Sequence, residues 1–276
     1  DGSANFSVER LSSDIEEVKR STLRGKIEKL FSGDTDVEVA LFYFSGHGIV
    51  TSTGGVIVTQ DFEKFDEGLS MANIVEIANK SKAQNKVIIL DCCYSGDAGA
   101  ASLTVDASII GKGTTIMTAS LDTETAEEVD SEGGLFTTYI TEGLQGGAAD
   151  VRGRITPASL YSYVDEAMGA WEQRPVFKSN IHKFIHLRQV PESVPDEILR
   201  KLPEYFEEPS SEHNVDPSYE PERNGSEIEK NWPEPDPAKN VIFADLQKLV
   251  AASLVVPVGA SSMWHAATGY KSCKLT

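Results

Sequence analysis

Apolar residues along this chain fall into short, continuous runs separated by stretches of mixed polarity. Three runs are rich in β-forming residues and stop at small residues: VEVALFYF (37–44), KVIIL (86–90) and GTTIMTAS (113–120). A run in which apolar residues do not alternate with polar ones is typical of a strand buried on both faces of a parallel sheet. The three runs therefore predict the central strands of one sheet.

Other stretches have apolar residues three or four positions apart, as helices do. This spacing predicts helices over 12–31, 69–82, 135–145 and 156–171. The last begins with Thr156 and Pro157, which suit the cap and the first position of a helix. Residues 6–11 alternate like a strand, and 49–59 predict a hairpin with a glycine turn. This order indicates an α/β fold, with helices on both faces of a mostly parallel sheet.

The composition changes after about residue 190. Residues 191–237 hold most of the chain's twelve prolines and many acidic residues, which predicts an extended, acidic, Pro-rich linker with a short helix near 196–206. Residues 238–276 are apolar again and predict a small C-terminal module or partner-binding segment. We therefore expect a domain over 1–190, followed by the linker and this module.

The formal net charge of −18 at pH 7 argues against a nucleic-acid surface, which needs clustered lysine and arginine. No stretch approaches the roughly 18–20 apolar residues of a membrane helix, so we expect no membrane contact. Three cysteines among 276 residues indicate a reducing, cytoplasmic compartment rather than a disulfide framework. Without a Cys-x-x-Cys pair or a compact His/Cys cluster, no metal site is predicted; the spacing of His182 and His186 lies in a strand-like pattern.

Two side chains with catalytic potential follow two of the predicted strands. His47 comes after 37–44, and Cys93 comes after 86–90. Because ligands bind at the carboxyl ends of parallel strands, we expect both at one edge of the sheet. A cysteine attacks a carbonyl as thiolate and needs a base, which His47 can supply. The amides of Gly48 and Cys93 are candidates to bind the oxyanion that forms.

These residues resemble a known family. FSGHG after one strand and DCCYSG after the next are similar to the caspase-like cysteine peptidases, in their metacaspase and prokaryotic caspase-homologue branch. The histidine precedes the cysteine by 46 positions, from 47 to 93, whereas caspases have about 50 and papain-like enzymes have the opposite order. The resemblance covers roughly 6–190 and implies a three-layer αβα sandwich.

The resemblance also implies roles for single residues. Cys93 would be the nucleophile and Cys92 a packed, inert thiol. Asp91, helped by Ser45, would line an acidic pocket that accepts arginine or lysine before the cut. Asp122 would lie in a loop beside the site, in contact with substrate or calcium. A turn or helix-cap role for Asp91 and a solvated loop for Asp122 remain alternatives.

Regulation by self-cleavage after the nucleophile is a further implication, and Lys112 is the one basic residue within 96–115. The chemistry needs no cofactor, but calcium activation occurs in some metacaspases and could use acidic residues of 124–132; a solvated acidic face is the alternative. The family's first strand and helix have no counterpart here. That departure predicts an exposed apolar groove beside 37–44 and leaves the pocket's composition open.

The sequence therefore predicts a cysteine endopeptidase that cuts protein or peptide substrates after arginine or lysine, under the control of self-processing or of a regulatory protein bound through 191–276. The main alternative is a silent caspase-fold scaffold in a signalling or defence complex. An amidase acting on small amides is a third hypothesis, which a requirement for extended peptides would exclude.

Overall fold

The computed structural model of the protein describes residues 5–32, 37–51, 54–92, 94–95, 110–119, 134–169, 175–223 and 229–276. The chain divides into two compact units. The first comprises Asp1–Ala149 and Arg154–Val190, and the second comprises Asp150–Gly153 and Pro191–Thr276. Among the helices of the described residues, none combines the length and the apolar character needed to cross a bilayer.

The described part of the first unit alternates helices and strands. Its helices are α1 (Arg20–Phe31), α2 (Met71–Asn79), α3 (Leu135–Glu142) and α4 (Pro157–Met168). Its strands are β1 (Val39–Ser45), β2 (Gly48–Thr51), β3 (Gly54–Glu63), β4 (Asp66–Ser70), β5 (Asn85–Asp91), β6 (Tyr94–Ser95), β7 (Thr114–Thr118), β8 (Arg154–Ile155), β9 (Val176–Ser179) and β10 (Arg188–Gln189).

The main sheet has the strand order β1-β5-β7-β9. The first three strands are parallel, and β9 runs antiparallel beside β7. This confirms the mostly parallel sheet that the three apolar runs predict. Within the described residues β1 is an edge strand, so its outer side has no strand beside it.

Two helical layers cover this sheet. Every residue of β5 is buried, and its side chains alternate between two cores. Ile88 and Leu90 pack with residues of α1 and α2, whereas Val87 and Ile89 pack with residues of α3 and α4. Because successive side chains point to opposite faces of a strand, the middle of a strand between two layers is apolar on both faces, and the buried polar residues Asn85, Lys86 and Asp91 stand at the ends of β5. The result is a three-layer αβα sandwich, as predicted.

A second, smaller sheet continues from the end of β1 and has the order β4-β3-β2-β6. Strand β2 pairs antiparallel with β3, with Thr51 opposite Gly54, so the predicted hairpin is present. Its turn precedes Gly54, and residues 52–53 lie outside the described part. Strand β2 also pairs in parallel with β6, which joins the segment after β1 to the segment after β5.

Helix α1 begins later than the sequence predicts, at Arg20 instead of near residue 12. The Arg20 amide donates to the carboxylate of Asp61 at 2.9 Å, and Val18 exchanges hydrogen bonds with the backbone and side chain of Gln60. Strand β3 thus supplies the cap that starts the helix. The predicted strand over 6–11 is wrong, because these residues belong to no described sheet.

The second unit has its own core. Its helices are α5 (Asp196–Arg200), α6 (Leu202–Tyr205), α7 (Pro237–Ala251) and α8 (Met263–Thr268), and its strands are β11 (Glu212–Asn214), β12 (Val255–Val258) and β13 (Ser272–Leu275). The strands form an antiparallel sheet of order β11-β13-β12.

The structure corrects the prediction of a linker over 191–237 and a separate module over 238–276. Tyr205 and Tyr219, from the predicted linker, share a hydrophobic core with Leu246 of α7. Lys201 and Tyr205 both donate to the buried carboxylate of Asp245, at 2.9 and 2.7 Å. The described parts of both segments therefore fold together.

The prolines and acids that suggested a linker serve local structure here. Pro237 occupies the first turn of α7, and the side chain of Asp236 accepts from the amides of Ala238 and Lys239. Proline at a helix start lacks only an amide that would have no helical partner, and aspartate is a favoured cap. The same composition is therefore compatible with a packed unit.

Candidate active site

The two sequence motifs meet at the carboxyl ends of the main sheet. Ser45 at the end of β1 is in register with Asp91 at the end of β5, and beyond them Gly48 of β2 is in register with Tyr94 of β6. The offset is 46 positions at both pairs, the same as that between 47 and 93. The amide of Gly46 also donates to the carbonyl of Asp91 at 3.1 Å.

His47 stands between the two sheets and its side chain is exposed. Its carbonyl oxygen accepts from the Val58 amide of β3 at 2.9 Å, which fixes the backbone at this point. Within the described residues, the imidazole makes no hydrogen bond. The ring is therefore available to a partner or a substrate at the sheet edge.

Asp91 lies at this edge with only 9% of its surface exposed. Burial raises the pKa of its carboxyl group, and hydrogen bonds from the hydroxyl and the amide of Thr137 partly oppose that rise. In the described part of the chain, no lysine or arginine pairs with it. Because Thr137 is in the first turn of α3, the Asp91 carboxylate also caps that helix.

The adjacent thiol points into the core. Cys92 is 1% exposed and packs in the same cluster as Ile88 and Leu90, as expected for alternate residues of one chain segment. Cys93 lies outside the described residues. Cys273, on β13 of the second unit, is fully buried, and burial raises the pKa of its thiol to about 12; it is therefore not a nucleophile.

The other predicted site residues are placed as follows. Ser45 is exposed beside Asp91, and Gly48 is buried at the start of β2, between β3 and β6. Asp122 and the acidic residues of 124–132 lie outside the described residues. In the part of the chain that the structure describes, no cluster of three or more His, Cys, Asp or Glu side chains could hold a metal ion.

Lys112 lies in the turn that leads into β7, and its carbonyl oxygen accepts a hydrogen bond from the Lys86 ammonium at 2.7 Å. Side chains from two more segments hold the same turn. Asn79 accepts from the Gly111 amide at 2.8 Å, and Asn180 donates to the carbonyl of Ile110 at 3.0 Å. Cleavage after Lys112 would require these bonds to open.

The hydrogen-bond partners of Asp91 were not predicted from the sequence. Thr137 donates its hydroxyl to Oδ2 of Asp91, and the Tyr43 hydroxyl lies 2.5 Å from the same threonine oxygen. The threonines at the start of LFTTYITEG were a weak signal, since hydroxyl side chains in a first helical turn often bond to neighbouring groups. Nothing in the sequence connects them to Tyr43.

The chain is similar to known proteins in sequence and in structure. A sequence model of the caspase domain matches residues 2–192. The structure is similar to that of caspase-1 from Spodoptera frugiperda, with 14% identity and a TM-score of 0.45 over 60% of this chain and 69% of that one. It is also similar to a protein from Geobacter sulfurreducens, with 13% identity and a TM-score of 0.45 over 63% and 80% of the two chains.

No protein of curated function matches the chain. The caspase-domain match spans more than half of the 276 residues. By that match, the chain belongs to the caspase-domain family of cysteine peptidases.

Proposed function

We propose that this protein is an endopeptidase that uses His47 and Cys93 as a catalytic dyad and cuts after arginine or lysine. The observation that carries the proposal is the common register at the sheet edge. The same sequence separation, 46 positions, joins Ser45 to Asp91 and Gly48 to Tyr94. The segment that contains FSGHG therefore runs beside the segment that contains DCCYSG at the carboxyl ends of β1 and β5.

The burial of Cys92 supports the choice of nucleophile. A catalytic thiol must be reachable and must form a thiolate, which an apolar core disfavours. Cys92 is 1% exposed in such a core, so Cys93 is the remaining cysteine of the DCCYSG motif. His47 is exposed and, among the described residues, makes no side-chain bond that would compete for its ring.

The chemistry follows from these groups. His47 takes the proton from the Cys93 thiol, and the thiolate attacks the carbonyl carbon of the substrate, forming a C–S bond and an oxyanion. The amides of Gly48 and Cys93 would stabilise that oxyanion. His47 then donates its proton to the leaving amine as the C–N bond breaks. Water, activated by His47, hydrolyses the thioester and restores the thiol. None of these steps needs a cofactor.

Asp91 supports the preference for a basic residue. A carboxylate that is nine-tenths buried is costly unless a cation pairs with it, and no lysine or arginine does so among the described residues. A guanidinium can bind such a group through two parallel hydrogen bonds. Exposed Ser45, in register with Asp91, would be a polar neighbour in the same pocket.

The test is cleavage of fluorogenic peptides that end in arginine, lysine or aspartate, by the full chain, with calcium present or chelated. We expect turnover after arginine and lysine. Cys93→Ala should lower it by roughly a thousandfold or more, because the nucleophile is lost. The matched control is Cys92→Ala, which should keep turnover and lower the free energy of unfolding by about 1 kcal/mol.

The outcomes separate the hypotheses. Turnover after aspartate would keep the peptidase and overturn the role of Asp91. Turnover that survives Cys93→Ala would overturn the dyad. Silence on every peptide, with and without calcium, would contradict the proposal and favour the scaffold hypothesis. Higher turnover with calcium than with the chelator would show calcium activation.

A further inference from the structure

The first turn of α3 closes over the carboxylate of Asp91. Thr137, the third residue of the helix, donates both its hydroxyl and its amide to this group. Gly134 precedes the helix so closely that a Cβ there would lie 2.9 Å from Oδ2 of Asp91. The carboxylate at the end of β5 is therefore held against the helix, and any larger residue at position 134 would displace it.

Tyr43 orients the threonine hydroxyl. The two hydroxyl oxygens are 2.5 Å apart, and the Thr137 hydroxyl has one proton, which it donates to Asp91. The proton between the two hydroxyls must then come from Tyr43, so Tyr43 donates to Thr137 and Thr137 donates to Asp91. These directed hydrogen bonds join β1, α3 and β5. Tyr43 is 40% exposed and precedes the exposed residues Ser45 and His47 in the sequence.

We propose that Thr137, oriented by Tyr43, is a positioning residue that fixes the Asp91 carboxylate for the basic side chain of a substrate. The proposal rests on the proposed function, because it assigns Asp91 the task of binding arginine or lysine. Two consequences follow from the hydrogen-bond chain. The carboxylate plane is held in one orientation, and the hydroxyl favours the ionised form that a guanidinium requires. The alternative is that the bonds only attach α3 to the sheet.

Four substitutions separate positioning from attachment, and one of them, Tyr43→Phe, removes the hydroxyl that orients Thr137. Thr137→Val removes the hydroxyl and keeps the shape, whereas Thr137→Ser keeps the hydroxyl. Thr141→Val is the matched control, because Thr141 is one turn further along α3 and, among the described residues, its hydroxyl bonds only to the Thr137 carbonyl, at 2.8 Å. The variants are made in the full chain and assayed with a peptide that ends in arginine.

We expect Thr137→Val to raise KM roughly tenfold or more while kcat changes little, since the lost bond is to a charged group. Thr137→Ser should restore KM, Tyr43→Phe should raise it less than Thr137→Val does, and Thr141→Val should leave it unchanged. A carbon-13 NMR titration follows the Asp91 carboxyl directly, and its signal is assigned as the one that Asp91→Asn removes. Thr137→Val should raise the pKa of this carboxyl, whereas Thr141→Val should leave it unchanged.

An unchanged KM in Thr137→Val would overturn the proposal even if the carboxyl titration moves, because the bond would then serve α3 and not the substrate. An equal rise in KM for Thr141→Val would also overturn it, since the effect would belong to the helix in general. If the wild-type protein cuts no peptide after arginine or lysine, the proposed function falls and this proposal falls with it. Turnover by the wild type therefore distinguishes the two failures.

Discussion

Asp91 lies in an unfavourable environment at the carboxyl end of the main sheet. It ends β5 at the motif edge and is 9% exposed, and burial raises the pKa of its carboxyl above the ordinary value of 3.8. A raised pKa means that the folded chain holds this proton more tightly than the unfolded chain does. Between 3.8 and the raised value, the folded state therefore binds more protons, and the free energy of unfolding falls as the pH rises.

Asp91→Asn removes this titration. In the wild type, the free energy of unfolding should fall as the pH rises above about 3.8, because Asp91 then ionises in the unfolded chain first. The variant should lack this contribution. Its free energy of unfolding should therefore rise relative to that of the wild type as the pH rises through this window. Urea unfolding at a series of pH values from below 3.8 to neutrality measures the difference. A constant difference between variant and wild type would show that Asp91 titrates alike in the folded and unfolded chains.

Single residues also show what the sequence could and could not predict about the site. The location of Ser45, His47 and Asp91 at one edge of the sheet could be predicted because each stands just after an apolar run, and parallel strands bring their carboxyl ends to one edge. Thr137 was missed because its partners are distant in sequence: Tyr43 is 94 positions away. A hydrogen bond between side chains of different elements leaves no periodic signal in the chain.

At the scale of elements, the buried strands were predicted best. β1, β5 and β7 lie within one or two residues of their apolar runs, because the strands of a parallel sheet covered by helices favour continuous runs of apolar and β-branched residues. The start of α1 was wrong for a tertiary reason, since Asp61 of β3 supplies its cap. The hairpin between β3 and β4 was missed, because its turn, around Lys64 and Phe65, lies in a stretch of mostly charged residues.

The turn before β7 leads to a prediction about self-processing. Lys86 is 4% exposed, and its ammonium donates to the Lys112 carbonyl at 2.7 Å, so this peptide bond is protected while the turn is closed. A hydrogen bond to a charged group contributes roughly 1.5–3 kcal/mol. We therefore expect Lys86→Met to speed cleavage after Lys112 roughly ten- to hundredfold, measured as the fragment ending at Lys112 in a mass-spectrometric time course.

Two controls belong to that experiment. Lys80→Met removes an exposed lysine side chain, which forms an ion pair with Glu76 on the surface. This substitution should leave the rate of self-cleavage unchanged. Lys86→Met combined with Cys93→Ala should give no fragment, since the proposed self-cleavage uses the Cys93 thiol. A Lys86→Met chain that still cleaves peptides but stays intact at Lys112 would show that self-processing, if present, occurs elsewhere.

At the scale of the whole molecule, the main departure from the sequence prediction is the second unit. Proline and acidic residues indicated a linker, because a chain with few apolar residues cannot offset the entropy of folding. That argument treats 191–237 alone. Its apolar residues Val194, Ile198, Tyr205 and Phe206 are buried together with those of α7, α8 and β13. A composition argument cannot detect a core that two segments complete jointly.

A substitution in α7 tests whether that core is shared. Leu246 is fully buried, and removing such a side chain costs roughly 2–5 kcal/mol. Leu246→Ala should therefore speed amide hydrogen exchange in α7 and, at the same time, in α5 and α6 of the predicted linker. Val241→Ala, on the same helix but 58% exposed, should change exchange little, because exposed substitutions usually stay within about 0.5 kcal/mol. If α5 and α6 exchange rapidly in the wild type, or stay protected when α7 loosens, the two segments do not form one core and the linker hypothesis returns.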